Sequence, residues 1–335
     1  MSCPPLYKPL EWYILAREAP SDLWIPGIFS FTFRVKQVKM AASGDDRVEY
    51  FRYKGISLPR YLVSEDMDAI RDFAIRDDDV FIITYPKSGT AWLQRIVSLL
   101  RFGGDVSKTD QKEQDELVPY FEQKCEESVP FRELPEAPSP RLIKSHLHMF
   151  LAPLQLKQGK GKVIYVARNP KDLAVSYYHF HFLCTTIKTP TSWEQFLQEF
   201  VSGEVCTGPW HNHVLGWWEQ KDNPNVLFLK YEDLQKNTRK QVEKVAEFLQ
   251  WPVTPEVIDK VVEQSTFQNM ATNPNTNKVS GKEAKAGIFD SSKGTFFRKG
   301  VVGDWKSHFS DEQSQWFDNF YQEKLGPTGL HFDFE

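Results

Sequence analysis

Apolar positions along the chain change period at defined places. Val80-Phe81-Ile82-Ile83 is a short unbroken apolar run ending at Tyr85-Pro86, the pattern of a strand buried on both faces. After Gly89, residues Trp92, Ile96, Val97, Leu99 and Leu100 fall at helical spacing, so the segment predicts strand, loop, helix. Two further runs, 141–145 and 162–167, predict strands, as does Val226 to Lys230. Pro170 opens a helix, because a first turn loses nothing when proline lacks its N–H. Tyr231-Glu232-Asp233 leads into a long amphipathic helix with Val242, Val245, Ala246, Phe248 and Leu249 on one face. Strands alternating with helices predict a single α/β domain whose central, mainly parallel sheet is flanked by helices. Residues 105–140, charged and proline-rich, predict an irregular excursion, and 269–299, rich in Asn, Lys, Gly and Ser, a long functional loop. No repeat or linker divides the chain.

Composition narrows the class. Hydrophobic residues at 41% and charged residues at 26% describe an ordinary globular protein. A net charge of −4 gives no global attraction to nucleic acid, so any phosphate site must be local. Cys3, Cys125, Cys184 and Cys206 lie far apart and form no metal-ligand spacing or disulfide framework, which fits a reducing compartment. Glu11, Glu18 and Asp22 argue against a transit peptide, and the apolar stretch 23–33, broken by Pro26, is too short to span a bilayer. A cytoplasmic protein is expected. Met40 is followed by a polar Ala-Ala-Ser-Gly-Asp-Asp, so residues 1–39 read as a dispensable extension on a domain over 40–335.

The candidate chemistry gathers at strand ends. Between the first strand and its helix lie Thr84 to Thr90; Gly89 permits close backbone approach, Ser88 and Thr90 bring hydroxyls and Lys87 a charge, where a helix N-terminus already favours an anion. A Ser-Gly turn with a solvated lysine is the plainer alternative. Arg168 follows another strand, Ser176 sits two turns into the next helix, and Phe296-Phe297-Arg298-Lys299-Gly300 closes the long loop. Three basic clusters in an acidic protein imply a ligand with more than one phosphate. Lys144-Ser145-His146 ends a strand, and a histidine there suits a general base, although a structural role is the commoner one and His148, His179 and His181 compete. Spacing alone leaves open a small-molecule kinase and a hydrophobic-ligand carrier. The G-x-x-x-x-G-K-[ST] loop of kinases is missing.

Taken in order, TYPKSGTAW, KSHL, RNPKDLAVSYYHF, YEDL, QSTFQNM and FFRKGVVGDWK resemble the cytosolic sulfotransferases, over roughly residues 48–332. That family uses 3′-phosphoadenosine-5′-phosphosulfate (PAPS), releases adenosine 3′,5′-bisphosphate (PAP) and needs no metal. The resemblance implies that Lys87, Ser88, Gly89 and Thr90 hold the 5′-phosphosulfate and that Trp92 lies near the adenine. It assigns the 3′-phosphate to Arg168 and Ser176 with Arg298, Lys299 and Gly300, and the adenosine to Tyr231, Ser265, Phe267 and Met270, with Ala91, Phe296 and Phe297 also on the donor. His146 becomes the base, with Lys87, Lys144 and Ser176 as further catalytic groups. Tyr120, Phe180, His148 and Ile288, with Phe150 nearby, join Lys144 and His146 around a small hydrophobic acceptor. A phenol leads, with steroids, alcohols and arylamines open. Two departures matter. His148 replaces a frequent proline, and the pattern through which many members form homodimers is degenerate at Lys306, Ser310, Asp311 and Gln315, which leaves a dimer in doubt.

Overall fold

The computed structural model describes residues 50–59, 64–123, 130–281, 284 and 287–335. The chain divides into units Met1–Ser43 and Gly44–Glu335, and every described residue lies in the second. The expected extension 1–39, with Cys3, lies outside the described residues, as does Cys125.

A hairpin comes first: β1 (Tyr50–Tyr53) pairs antiparallel with β2 (Ile56–Pro59). Lys54 (φ 49°) and Gly55 (φ 83°) make its two-residue turn, the positive-φ geometry whose twist matches the strands. This hairpin was not among the expected strands. The main sheet comprises β3 (Val80–Thr84), β4 (Leu142–Ser145), β5 (Lys162–Ala167) and β6 (Val226–Lys230), in the order β4-β3-β5-β6 and parallel throughout. These are the four expected strands.

Alternation along β3 sorts the core. Val80 and Ile82 pack with Leu93, Ile96 and Val97 of the helix Thr90–Arg101 and with Val242, Val245 and Leu249 of the helix Thr238–Leu249. Phe81 and Ile83 face the opposite core, with Leu173 and Val175 of the helix Pro170–Leu183, Phe196, Trp217 and Phe317. Each such side chain contributes about 1.5–3 kcal/mol by burial, and burial on both faces is why the strand reads as an unbroken apolar run.

Elsewhere the pattern was too coarse. The long helix after Tyr231 is two, Tyr231–Lys236 and Thr238–Leu249, because Asn237 leaves helical geometry (φ −152°, ψ 78°) and its side chain accepts from Lys240 N to cap the second. The excursion carries one-turn helices at Val106–Thr109, Gln114–Leu117 and Pro130–Glu133. The expected long loop opens with a helical stretch, Phe267–Thr272. A C-terminal helix, Asp311–Leu325, starts at Ser310 through a capping box with Gln313, so Ser310 and Asp311 of the degenerate dimer pattern form a helix start. Among the described residues no helix is long and apolar enough to cross a membrane. Because β3 to β6 run parallel, their carboxyl ends share one edge, where open α/β sheets bind ligands.

Candidate active site

The loop after β3 prepares an anion site. Ser88 N donates to Tyr85 O at 3.2 Å, Lys87 (φ 71°) and Gly89 (φ 105°) take left-handed geometry, and the helix Thr90–Arg101 begins at Gly89 with no side-chain cap. Its first N–H groups therefore remain for a ligand. A Cβ on Gly89 would lie 2.9 Å from the Tyr231 ring, so only glycine fits without displacement. Ser88 Oγ and Trp92 Nε1 are buried without hydrogen-bond partners. Lys87 Nζ lies 4.4 Å from the ring centres of both Phe180 and Phe296. Burial, then the charges of Arg168 and Lys278, push its pKa down to about 7. The lysine is no solvated surface residue. Ala91, beside it on the helix, is buried.

A second group closes over this loop. Arg168 donates to Lys87 O at 3.3 Å and to Val301 O at 3.2 Å, lies 4.4 Å over the Tyr231 ring and keeps Nε unpartnered. Arg298 and Lys299 both ion-pair with Asp304; burial works against that carboxylate's charge, but their hydrogen bonds hold its pKa at about 2. Gly300 (φ 68°) packs so closely on Phe267 that a Cβ would meet the ring, and Gln235 Nε2 donates to both Gly300 O (2.7 Å) and Tyr231 OH (2.9 Å). Trp92 meets Tyr231 edge-on with ring centres 5.6 Å apart, and Phe297 meets Phe267 and Phe296 similarly. Ser265 and Met270 are buried, and Ser176 is half-buried on the helix Pro170–Leu183. Asp172, on the same helix, accepts from Gly303 N (2.8 Å) and Trp305 N (2.9 Å). It ties the clamp segment down, a role the sequence reading missed.

The third group surrounds His146. Its Nδ1 lies 2.8 Å from the Thr84 carbonyl, an atom that only accepts, so Nδ1 carries the proton and Nε2 keeps the lone pair. Its backbone N donates to Glu122 Oε1 at 2.6 Å. Burial, then the Lys144 charge, push the imidazole pKa down to about 3, so it is neutral at working pH. Lys144 lies 3.2 Å from both Asp115 oxygens and 4.5 Å over the Tyr120 ring, and Lys278 pairs with the same carboxylate. Tyr120 meets His146 edge-on at 5.1 Å.

The remaining acceptor residues divide. Phe180 joins the group through Lys87, Phe289 and Phe296. Ile288 packs on the core while its carbonyl accepts from Thr185 N at 3.0 Å. His148 is buried with Nε2 2.7 Å from Thr207 O and its ring 4.8 Å from His213, and Phe150 beside it is exposed. Asp115, Lys278 and Glu122 were missed, because they enter from irregular segments that no local pattern announces. Among the described residues no group of three or more His, Cys, Asp or Glu is placed to hold a metal ion.

An uncapped helix start, a half-buried lysine and a neutral histidine at one sheet edge mark an enzyme that moves an anionic group. Residues 77–329 match the sulfotransferase domain. Over 289 residues, 86% of this chain and 94% of the relative, the sequence is 39% identical to the amine sulfotransferase of Oryctolagus cuniculus. Over 295 residues, 88% and 99% of the two chains, it is 38% identical to sulfotransferase 1E1 of Bos taurus. Mouse sulfotransferase SULT7A1 complexed with PAP matches with a TM-score of 0.70 at 32% identity, over 83% of this chain and 95% of that one. Retinol dehydratase in complex with androsterone and inactive cofactor PAP matches with a TM-score of 0.76 at 25% identity, over 84% and 90%. The chain belongs to the cytosolic sulfotransferase family. It is a PAPS-dependent enzyme that transfers a sulfuryl group to a hydroxyl or amine acceptor. Ser88 Oγ, Trp92 Nε1 and Arg168 Nε, buried without partners, fit a polar, anionic donor.

Proposed function

We propose that this enzyme sulfonates a small hydrophobic acceptor, a phenol first, with His146 as the general base. The tautomer of His146 carries the proposal: Nδ1 is committed to the Thr84 carbonyl, so the lone pair on Nε2 is left to take the acceptor's proton. When bound, the donor supplies the sulfuryl group and a phosphate leaving group. Lys87 and the N–H groups of the helix start meet the charge that gathers on that phosphate. Lys144 holds the sulfuryl oxygens, and Arg168, Ser176, Arg298, Lys299 and Gly300 hold the far phosphate. The aromatic walls Tyr120, Phe180 and Phe296 favour a flat acceptor. An amine is the second reading, supported by the 39% identity to an amine sulfotransferase. The domain boundary at residue 40 and a cytoplasmic location belong to the same proposal.

Labelled PAPS offered with phenols, steroids, alcohols and amines separates the acceptor readings. His146→Ala is expected to lower kcat by about 10²–10⁴ while keeping the thermal stabilisation by PAP, about 2.7 kcal/mol at a hundredfold excess over Kd. A folded His146→Ala protein with near-normal turnover would falsify the base assignment.

A further inference from the structure

Two lysines stand at the catalytic edge on one carboxylate. Lys144 Nζ lies 3.2 Å from each oxygen of Asp115, and Lys278 pairs with Oδ2 of the same group. The lysine side chains are 5% and 13% exposed, that of Asp115 21%, so water does little to separate the charges. Asp115 is itself fixed: Gln94 Nε2, from the donor-loop helix, donates to Oδ1 at 2.9 Å and to Val118 O at 3.2 Å. The neighbouring Gln114 donates through its side chain to Ala91 O at 2.8 Å and through its backbone to Asn275 O at 2.9 Å. Asn273 and Asn275 bond to Asp110, at 3.0 Å and 2.9 Å, holding the segment that carries Lys278. The donor-loop helix, β4 and the segment after residue 272 thus meet at one carboxylate.

We propose that Asp115 is a positioning residue for sulfuryl transfer, a half-buried carboxylate that keeps Lys144 and Lys278 together as charged ammonium groups beside His146. The proposal rests on the reading that Lys144 and His146 serve the reaction. Two neighbouring ammonium groups in a dry site repel, and without a counter-charge one of them gives up its proton. Lys278 is a member of this electrostatic cluster, because its charge lowers the pKa of both Lys87 and His146. The titratable and charged groups around the pair are Lys87 from the donor loop and His146 just after β4. Glu113, Tyr120 and Glu122 come from the excursion, while Arg168 and Arg298 act on Lys87. Lys144 and Lys278 hold the Asp115 carboxyl well below the usual carboxylate range although burial opposes them. It is an anion throughout the working range.

The test is kcat with both substrates saturating, from about pH 6 to about pH 10. Asp115→Asn keeps the side-chain size and removes the charge. Its kcat is expected to fall about tenfold or more, with the alkaline limb moved to lower pH, and Asp115→Glu is expected to restore most of both. In the double variant Asp115→Asn, Lys278→Met the limb moves back up, because Lys144 no longer faces a second cation. A limb unmoved in Asp115→Asn, a loss equal at every pH, or a Glu variant no better than Asn overturns the proposal. PAP-dependent thermal stabilisation checks folding. Should Asp115→Asn not fold, Lys278→Met alone must raise the alkaline limb, and an unmoved limb there counts against the idea. Lys144→Met separates the two readings: normal turnover in that variant removes the catalytic role of Lys144, whereas an inactive Lys144→Met beside a normal Asp115→Asn removes only the positioning role.

Discussion

The proposed donor side and the proposed acceptor side of this site are built in different ways. On the donor side, β3, the loop 85–89 and the helix Thr90–Arg101 follow one another in sequence, and the backbone itself makes the anion site through the geometry of Lys87 and Gly89. On the acceptor side, Tyr120, Asp115, Phe180, Lys278 and Ile288 arrive from separate segments joined by side-chain contacts such as the Lys278–Asp115 pair. Under the proposed roles, the consecutive loop serves every acceptor and the scattered side chains set the acceptor preference. Substitutions on the donor side should therefore lower turnover with every acceptor alike.

The largest such effect is expected at Lys87. Lys87→Ala removes the half-buried amino group set between two aromatic rings, and loss of one such stabilising group costs about 10²–10³ in kcat. Steady-state rates with a phenol and an amine should fall by similar factors. A loss confined to one acceptor class breaks the division between the two sides.

The same division explains what the sequence disclosed. Of the four strands, β3 and β5 were legible as apolar runs buried on both faces, and the loop after β3 stood out because its charged and hydroxyl residues lie within nine consecutive positions. Arg168 and the Arg298-Lys299-Gly300 clamp were legible as charged residues at the ends of regular or motif-like stretches. Asp115 and Lys278 were not, since 163 positions separate them and neither lies in a periodic segment. Asn237 also escaped notice: the apolar face of the helix Thr238–Leu249 continues the pattern after Tyr231, while the break comes from a local cap. His148, read as an acceptor residue from its place after Leu147, sits on the Thr207 carbonyl, an arrangement that depends on a partner 59 residues away.

A smaller effect is expected at Gly89. Alanine there must hold φ near 105° and set its Cβ 2.9 Å from the Tyr231 ring, a strain of about 1–3 kcal/mol. Gly89→Ala should lower Tm and raise the KM for PAPS while leaving the acceptor KM nearly unchanged. An unaltered PAPS KM would mean that the loop backbone adapts freely and is not the preformed half of the site.

The smallest effect concerns acid stability and compares four histidines whose pKa burial lowers with two buried carboxyl groups whose pKa burial raises. Burial and, for His146, the Lys144 charge lower the pKa of His146 to about 3, while burial takes His148 and His181 to about 4 and His213 well below its ordinary value. In the unfolded chain these imidazoles take up protons as pH falls through about 6.5. The folded protein does not follow until about pH 4 or below, so the unfolded state binds more protons and stability falls as pH falls across that window. Glu122 and Glu232 act in reverse: burial raises both to about 7, so their contribution is full below about pH 4.5 and fades as pH rises to about 7. Four imidazoles outweigh two carboxyl groups. Thermal unfolding should therefore give a Tm that falls from pH 6.5 to pH 4.5, and Glu122→Gln, by removing one opposing group, should make the fall steeper. A Tm that stays level would show that water reaches these imidazoles, and with it that the edge carrying His146 is wetter than its burial implies.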